Sequence, residues 1–559
     1  MHRIVSRLGF MATVVALTVV VGACGGGDNE GGDKGTSGGS PATKAKVGGE
    51  MTVYGTSFPD FLDPATAYTV DAWQALWTVY LPLLTYTHAA SADGATLVPA
   101  LAEAMPEVSS DGKTYKLKLR EGLKFSDGKP VRASDFEYSI KRVFNLESGG
   151  SAFFQKIKGA DAYLKAGKAN GDISGIVTDD ATGDITITLN EADGAFSHIL
   201  AMDFAGIVPT GTPFENVTKN PPPGVGQFKL TNVKAGRSFV LEKNANFPSI
   251  PDVPAAKLDK ITTTIVKNQR RQVQDALQNK VDYLIDPPPA DQLRQVKAEA
   301  GDRFKEYVTN STYYFFLNNR TPPFDKKEVR QAVAFGIDKR ALTRLFGGLF
   351  EPGCNFLPPG MKGYKKIDPC PYGDPNAAPN VAKAKELIKA AGAEGASVSV
   401  YGNDEEPSRP VTEYLSDVLN KIGLKAKPKI VEGSVYFTTI GNQKTNAQAG
   451  FTNWFQDFPH PSNFLFLVEG KTIQKINNSN YSNVDDDQIN AEVAEANKNP
   501  DLDSVADKYA AADKRLVDEA FVVPYGHRKL TVLTSDRIDL ASFIWHPVYL
   551  ADYVSFALK

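Results

Sequence analysis

Histidine and cysteine, which often bind transition metals in proteins, are scarce in this chain of 559 residues, which has six histidines and three cysteines. No histidine belongs to a local metal-binding motif such as HExxH, so we predict neither a metal nor a cofactor. Charge of one sign is also lacking, because 62 basic and 65 acidic residues give a net charge of -3. Without a basic excess or a polybasic run, the sequence predicts no nucleic-acid partner.

Nucleotide-binding and catalytic motifs are lacking too. No P-loop occurs, so any ATP hydrolysis must belong to a partner. One match to the G-x-S-x-G motif of hydrolases lies at residues 35–39, in a Gly/Ser-rich segment. A nucleophile elbow needs a strand before this motif and a helix after it, and neither is expected there. We therefore expect no enzymatic activity; the alternative of an extracellular hydrolase would need product formation in a clean assay.

Long apolar runs are lacking except near the N-terminus, over residues 8–21. This run is shorter than the ~20 residues of a membrane-spanning helix. With Arg3 and Arg7 before it and small residues after it, the run predicts a secretory signal peptide over residues 1–23. Val-Gly-Ala directly before Cys24 resembles the lipobox of bacterial lipoproteins, which implies that Cys24 is diacylated. The alternative is an ordinary cleaved signal followed by an incidental cysteine.

A Gly/Ser-rich segment over residues 24–47 follows, and we expect a flexible tether because this composition cannot bury a core. The order of signal, cysteine and tether predicts a protein that is exported and anchored by lipid at the outer face of the cytoplasmic membrane. In that oxidising location, Cys354 and Cys370 are expected to form a disulfide. Their spacing does not fit a CxxC redox motif or a zinc site.

The remaining chain is too long for one hydrophobic core, since single cores stop growing at about 250–300 residues. We therefore expect two or three lobes. Helical periodicity over residues 381–391 and 411–422 alternates with strand-like runs at 396–401 and 424–430, which predicts an α/β lobe. The same period predicts further helices over residues 71–84, 134–144 and 327–341.

Residues 101–139 contain four sequence blocks: LAE, SDGKTY, LREGLKFSDGKP and SDFEYS. They resemble the diagnostic stretch of the family 5 solute-binding proteins, the oligopeptide-, dipeptide- and nickel-binding group. The resemblance covers about residues 48–559, although Ser126 and His460 stand where His and Asp are common. Supporting blocks follow in the family order: GVGQF at 224–228, VRQA at 329–332, AKAKEL at 382–387 and WFQDFP at 454–459.

This resemblance implies a type II periplasmic-binding-protein-like clamp of two lobes with a hinge, plus an extra inserted α+β domain. A ligand would close the cleft between the lobes. The chain would cross between the lobes near residues 312 and 524. The implied divisions are domain I (48–90, 206–312 and 524–559), domain II, the insertion (91–205), and domain III, the second lobe (313–523).

The resemblance also implies the function and the partners. The chain would be the substrate-binding lipoprotein of an ABC importer, which captures peptides and delivers them to permease subunits with cytoplasmic ATPases. We expect a monomer, because one clamp docks one transporter. The alternative is the same scaffold binding a non-peptide solute, such as a sugar oligomer, an opine, glutathione or a metal chelate. A sensory or adhesive role of the same cleft also stays open.

The implied ligand site centres on Asp457, whose carboxylate would receive the α-ammonium of a peptide. Such a charge is costly to bury unless it is paired and hydrogen-bonded. The backbone groups of Asn453 and Phe455 would hold an extended ligand as an added strand, and Trp454 would offer apolar area. The alternatives are a carboxylate that caps a local turn and an aromatic residue of the core.

Residues 68–73 would form the opposing wall, with Asp71 and Trp73 as the ligand-binding candidates. The predicted crossings between the lobes supply further candidates, each of which is equally a core residue. A peptide carboxylate would need an arginine or a lysine, and the sequence does not identify which one. The candidates at the crossings are Tyr313, Tyr314 and Tyr525.

Overall fold

The computed structural model describes residues 46–166 and 171–559. Cys24, the predicted signal peptide and all but the last two residues of the predicted tether lie outside these described residues. Within the two described ranges, no helix has the length and apolar character needed to cross a membrane.

The strands are β1 (Glu50–Gly55), β2 (Leu84–Tyr86), β3 (Leu97–Pro99), β4 (Glu107–Val108), β5 (Thr114–Lys118), β6 (Ile176–Thr178), β7 (Asp184–Thr188), β8 (Phe228–Lys234), β9 (Ser238–Lys243), β10 (Lys260–Ile265), β11 (Tyr283–Leu284), β12 (Phe304–Val308), β13 (Ser311–Leu317), β14 (Phe350–Pro352), β15 (Ser397–Asn403), β16 (Lys425–Val431), β17 (Ala449–Phe455), β18 (Val522–Thr534), β19 (Trp545–His546) and β20 (Leu550–Ala551).

The α-helices cluster in the second half of the chain, where they alternate with strands. They are α1 (Val70–Leu76), α2 (Ala133–Asn145), α3 (Ser151–Phe154), α4 (Ala160–Lys165), α5 (Phe196–Ile199), α6 (Gln269–Leu277), α7 (Leu293–Ala300), α8 (Lys327–Gly336), α9 (Lys339–Leu345), α10 (Val381–Ala390), α11 (Ser408–Ile422), α12 (Tyr436–Ile440), α13 (Ser462–Leu465), α14 (Asp487–Ala496) and α15 (Leu502–Asp518).

One twelve-stranded sheet runs through the molecule in the order β16-β15-β17-β13-β18-β11-β1-β10-β9-β8, with β12 and β14 also paired to β18. The sheet is mixed: β1 is parallel to β10 and β11, and β15 is parallel to β16 and β17. The pairs that involve β18 are antiparallel. Strand β18 therefore lies between the two parallel portions of the sheet.

Strand β18 changes partners along its 13 residues. Its first part pairs with β13, where Gly526 lies opposite Tyr313, and its last part pairs with β12, where Leu533 lies opposite Phe304. The register between β13 and β18 shifts at this point. A Cβ atom on Gly526 would overlap the carbonyl oxygen of Glu351, so only glycine fits where the partners change.

Two large hydrophobic cores share β18. Met51 of β1 and Val532 of β18 belong to the first core, and Val400 of β15 and Val523 of β18 belong to the second. A smaller cluster under α6 and α7 includes Val273. The two main cores agree with the expectation from chain length, and the residue boundaries of the three domains stay a prediction.

A separate four-stranded sheet, β4-β5-β7-β6, lies in the segment predicted as the insertion. In β5, buried Tyr115 and Leu117 alternate with exposed lysines, as the two-residue period of a strand requires. Helix α2 covers this sheet and buries Phe136 and Ile140 in the first core. Mixed helices and strands thus occur in both halves of the chain.

The helices predicted over residues 134–144, 381–391 and 411–422 are confirmed as α2, α10 and α11. The helix predicted over residues 71–84 is wrong beyond Leu76. The carbonyl groups of the two residues after Trp77 accept hydrogen bonds from Phe228 and Gly226, which draws the chain out of the helical path.

The helix predicted over residues 327–341 is divided in two. Helix α8 ends at Gly336, and Asp338 begins α9 by accepting a hydrogen bond from the backbone of Arg340. Aspartate at such a position favours a helix start because its carboxylate satisfies an unpaired backbone N–H group.

A buried ion pair connects α2 to the segment before α1. The Arg142 guanidinium donates to both carboxylate oxygens of Asp63 at 2.8 and 2.7 Å, and both side chains are 0% exposed. Asp63 also accepts from the backbone of Ala65, and Arg142 donates to the carbonyl group of Pro213. The pair therefore ties three separate segments of the first core together.

Replacement of Asp63 by Asn leaves the charge of Arg142 buried and uncompensated. We expect Asp63→Asn to lower the free energy of unfolding of the first core by about 3–5 kcal/mol. The midpoint of urea unfolding, followed by circular dichroism, measures the loss. The matched control is Asp291→Asn, which breaks the exposed Arg270–Asp291 pair and should cost less than about 1 kcal/mol. Equal losses in the two variants would contradict a structural role for the buried pair.

Candidate functional site

Asp457 lies two residues beyond the end of β17 and is held in place by Asn463 of α13. The Asp457 backbone N–H donates to Oδ1 of Asn463, and Nδ2 of Asn463 donates to Oδ2 of Asp457, both at 2.8 Å. Oδ1 of Asn463 also accepts from Nε1 of Trp454 at 3.3 Å. One amide thus orients two of the predicted site residues. Sequence reasoning missed Asn463, because no motif marks it.

The carboxylate of Asp457 is buried, and no cation in residues 46–166 or 171–559 pairs with it. Asp457 is 7% exposed, and its burial raises the pKa of its carboxyl group to about 6. Hydrogen bonds from Asn463 and Tyr68 act in the opposite direction and lower this pKa. Among the ion pairs of the described residues, none includes Asp457, and no basic group acts on its pKa. A buried carboxylate is costly unless it is paired. The position therefore favours a positively charged group from outside the chain.

Tyr68, in the segment predicted as the opposing wall, lies next to Asp457. Its hydroxyl interacts with the Asp457 carboxylate, and desolvation of the hydroxyl together with that negative charge raises the pKa of Tyr68, while the residue as a whole is 38% exposed. The Tyr68 ring stacks on Trp73 at 5.6 Å and meets Phe204 edge to face at 5.2 Å. A Cβ atom on Gly149 would lie 2.6 Å from the ring, so the glycine makes room for it. The predicted wall over residues 68–73 contains Tyr68, but its part in the site was not foreseen.

The opposing wall is acidic at Asp71. Burial raises the pKa of Asp71 to about 6, and the nearby carboxylates of Asp286 and Asp60 raise it further. Asp286 is fixed by the backbone N–H of Thr56, which donates to it at 2.6 Å. Asp71 thus lies among other carboxylates on the segment that carries Tyr68.

The last residues of β17 have one unpaired backbone edge. On one side, Asn453 lies opposite Tyr313 and Phe455 lies opposite Ser311 of β13. On the other side, β15 reaches β17 only at residues 449 and 450. In the described part of the chain, the stretch from Asn453 to Phe455 therefore has no strand on its second side, and each of these residues is half-buried.

The aromatic candidates fall into two groups. Half-buried Tyr313 meets the edges of Phe346 and Phe455, at 5.3 and 6.1 Å, next to the free edge of β17. Tyr314 and Tyr525, by contrast, are fully buried in the second core. Trp73 is also buried, and its Nε1 donates to the carbonyl group of Ala67 at 2.8 Å. The structure thus places Tyr313 beside the candidate site and Tyr314 and Tyr525 behind it.

Cys354 and Cys370 form a disulfide that closes a loop between β14 and α10. This disulfide packs against Val517 of α15. It belongs to a small hydrophobic cluster with Ile367, separate from the second core, and it is not among the groups that act on Asp457.

Residues 96–475 match the bacterial extracellular solute-binding proteins, family 5 Middle, and the chain belongs to this family. It is a family of extracellular solute-binding proteins rather than of enzymes. The resemblance found in the sequence is thereby confirmed.

Named relatives extend the match over the chain. The dipeptide-binding protein DppE of Bacillus subtilis is 25% identical over 91% of this chain and 92% of its own length. The heme-binding protein A of Haemophilus influenzae is 26% identical over 92% of this chain and 93% of its own length. A solved clavulanic acid biosynthesis oligopeptide binding protein 2 superposes with a TM-score of 0.84 at 23% identity, covering 92% of this chain and 96% of that one. The predicted α/β type II clamp is confirmed.

Removal of the Asn463 amide tests how the carboxylate of Asp457 is held. Asn463→Leu deletes the hydrogen bonds to Asp457, and we expect the free energy of unfolding at pH 8 to fall by about 1.5–3 kcal/mol. The pKa of Asp457, already raised from 3.8 to about 6, should rise further in this variant. Stability linked to a raised carboxyl pKa is present at low pH and lost as the pH rises through that pKa. The loss should therefore be smaller at pH 4 than at pH 8.

The control is Asn463→Leu in an Asp457→Asn background, which has no carboxylate to titrate. There the cost should be nearly the same at pH 4 and pH 8, as measured by urea unfolding. A pH-dependent cost of equal size in both backgrounds would mean that Asn463 acts on some other group.

Proposed function

We propose that this chain captures peptides between the wall of Asp457 and the wall of Tyr68, and delivers them to the permease of an ABC importer. The observation that carries the proposal is the buried carboxylate of Asp457, which has no cation partner among the described residues and lies beside a strand edge that no described strand pairs. Membership of the solute-binding family and the similarity to a dipeptide-binding protein support it.

The peptide α-ammonium is the cation that fits at Asp457. An ammonium group has three N–H donors and no acceptor, so it can donate to the carboxylate while the Tyr68 hydroxyl offers an oxygen beside it. A charge-assisted hydrogen bond in a buried site is about twice as strong as a neutral one. Asp457 would select ligands with a free N-terminus, and Asp71 would add to the negative potential.

The free edge from Asn453 to Phe455 supplies the second half of peptide recognition. An extended peptide adds there as a strand, and its backbone donates to and accepts from backbone groups that β15 leaves unpaired. These contacts do not depend on ligand side chains. Trp454 and Tyr313 would provide apolar area beside the edge. The arrangement therefore suits binding of many peptides by one protein.

Location and assembly complete the proposal. We infer that the chain is exported, is lipidated at Cys24 and remains tethered to the outer face of the membrane. We further propose a monomer without catalytic activity, which opens and closes on its ligand and docks on permease subunits with cytoplasmic ATPases. The predicted hinge near residues 312 and 524 would permit this closure.

Trialanine and its N-acetyl derivative test the role of Asp457. Calorimetry should show saturable binding of trialanine, weaker by at least about 30-fold after N-acetylation or in Asp457→Asn, since a lost buried charge pair costs about 2–5 kcal/mol. The control is Asp302→Asn, an exposed carboxylate that should leave affinity unchanged. Equal affinity for trialanine and its N-acetyl derivative would contradict the assignment of an ammonium site at Asp457. Absence of any peptide binding would favour a non-peptide solute.

A further inference from the structure

Phe458, the residue directly after Asp457, does not pack in the core of its own segment. Trp454, earlier in that segment, packs against the second core, whereas the ring of Phe458 is buried in the first core. There it meets Phe153 edge to face, with ring centroids 6.0 Å apart, and lies nearly parallel to the ring of His198 at 6.4 Å. Both partners belong to the predicted insertion, so the loop that carries Asp457 is anchored outside the predicted second lobe.

A second contact joins the same two parts of the chain. The backbone N–H of Gly194 donates to the carbonyl oxygen of Asn497, at the end of α14, at 2.7 Å. A Cβ atom on Gly194 would lie 2.2 Å from the carbonyl oxygen of Asn499. The φ angle of Gly194 lies outside the left-handed region, so the glycine is required by the approach of the other segment and not by its own backbone.

Tyr509 of α15 connects the two contacts within the predicted second lobe. Its hydroxyl donates to Oδ1 of Asn497 at 2.8 Å, and its ring meets the ring of His460 edge to face at 5.6 Å. The ring of His460 in turn lies 5.7 Å from that of His198. Desolvation lowers the pKa of both histidines to about 3, so these rings are uncharged at neutral pH and pack without repulsion. The two contacts therefore form one continuous patch.

On the insertion, Gly194 and His198 belong to one short segment that is fixed by Asp193. Oδ1 of Asp193 accepts from the N–H of Ala195 at 3.0 Å, and its carbonyl oxygen accepts from the hydroxyl of Tyr115 at 2.9 Å. Tyr115 is a buried residue of β5. The segment is thus fastened to the four-stranded sheet, and a force on the patch is transmitted to the insertion as a whole.

We propose that this patch is a latch between the insertion and the second lobe, and that Phe458 is a positioning residue for Asp457. Entry of a peptide between the two walls separates the contacts, and their return holds Asp457 opposite Tyr68. A contact that forms only in the closed clamp raises the closed population and with it the affinity for ligand. The inference rests on the proposed function, and it gives the insertion a role in binding although the insertion does not itself receive the ammonium group.

Hydrogen exchange over residues 191–199 reports on the latch without any ligand, because the Gly194 amide donates across the patch. With the full chain, Phe458→Leu should speed this exchange at least about tenfold, as measured by mass spectrometry of peptic fragments. The matched control is Phe324→Leu, in a buried phenylalanine of the second core outside the patch. Unchanged exchange in Phe458→Leu, or equal acceleration in both variants, would overturn the proposal.

Gly194→Ala tests the latch from the insertion side and leaves Phe458 in place. The added Cβ atom forces the two segments apart, so calorimetry should show trialanine binding weakened at least about fivefold, and stopped-flow kinetics should assign the loss mainly to faster dissociation. The control is Lys498→Ala, which removes an exposed side chain between Asn497 and Asn499 and should leave affinity unchanged. Wild-type affinity in Gly194→Ala would contradict the latch.

The positioning role of Phe458 has its own readout. Gly194→Ala should weaken binding of trialanine and of N-acetyl-trialanine by the same factor, because it acts on closure alone. Phe458→Leu should weaken trialanine binding more than that of the N-acetyl derivative, because it also displaces the carboxylate of Asp457 from the ammonium group. Equal losses for the two peptides in Phe458→Leu would reject the positioning role.

Ligand-dependent exchange separates this inference from the proposed function. Saturating trialanine should slow exchange over residues 191–199 in the wild type, and a rate that does not respond to bound trialanine would identify a static contact and overturn the latch. If no peptide binds but Phe458→Leu still speeds exchange more than Phe324→Leu does, the peptide proposal is wrong and the latch stands. If trialanine binds through Asp457 but neither Gly194→Ala nor Phe458→Leu changes its affinity, the latch is wrong and the proposed function stands.

Discussion

The pairing of β18 with both halves of the main sheet is the constraint from which the arrangement of the site follows. Val523 and Val532 of this strand belong to different cores, so the strand fixes the two cores to one hydrogen-bonded frame. β13 pairs with β18 on one side and with β17 on the other. Asp457 lies two residues beyond β17 and is therefore positioned next to this frame, where Asn463 of α13 holds it.

Two kinds of buried charge occur in this molecule and have different consequences. Asp63 and Arg142 neutralise each other and connect segments of one core. Asp457 has no counterion among the described residues, and the protein bears the cost of desolvating it. A structural pair needs nothing further, whereas an unpaired buried carboxylate suits a ligand that carries a positive charge.

The sequence predicts the fold class, the family and the loop that carries Asp457, because these depend on local periodicity and on contiguous blocks of residues. It cannot place Tyr68 against Asp457, because that interaction joins segments far apart in the chain. The predicted helix over residues 71–84 fails for the same reason, since hydrogen bonds from distant residues 226 and 228 redirect its second half. Asn463 is missed because its role depends on hydrogen bonds to Asp457 and Trp454 that no sequence motif marks.

The open edge of β17 has a consequence beyond recognition. An unpaired strand edge is also a template on which another chain can pair, and exposed edges of this kind promote aggregation. Here the edge is short, spanning Asn453 to Phe455, and its residues are half-buried. Because this edge is short and only partly exposed, it is less open to pairing with a second copy of the chain than a long exposed strand would be, which should limit aggregation at high concentration.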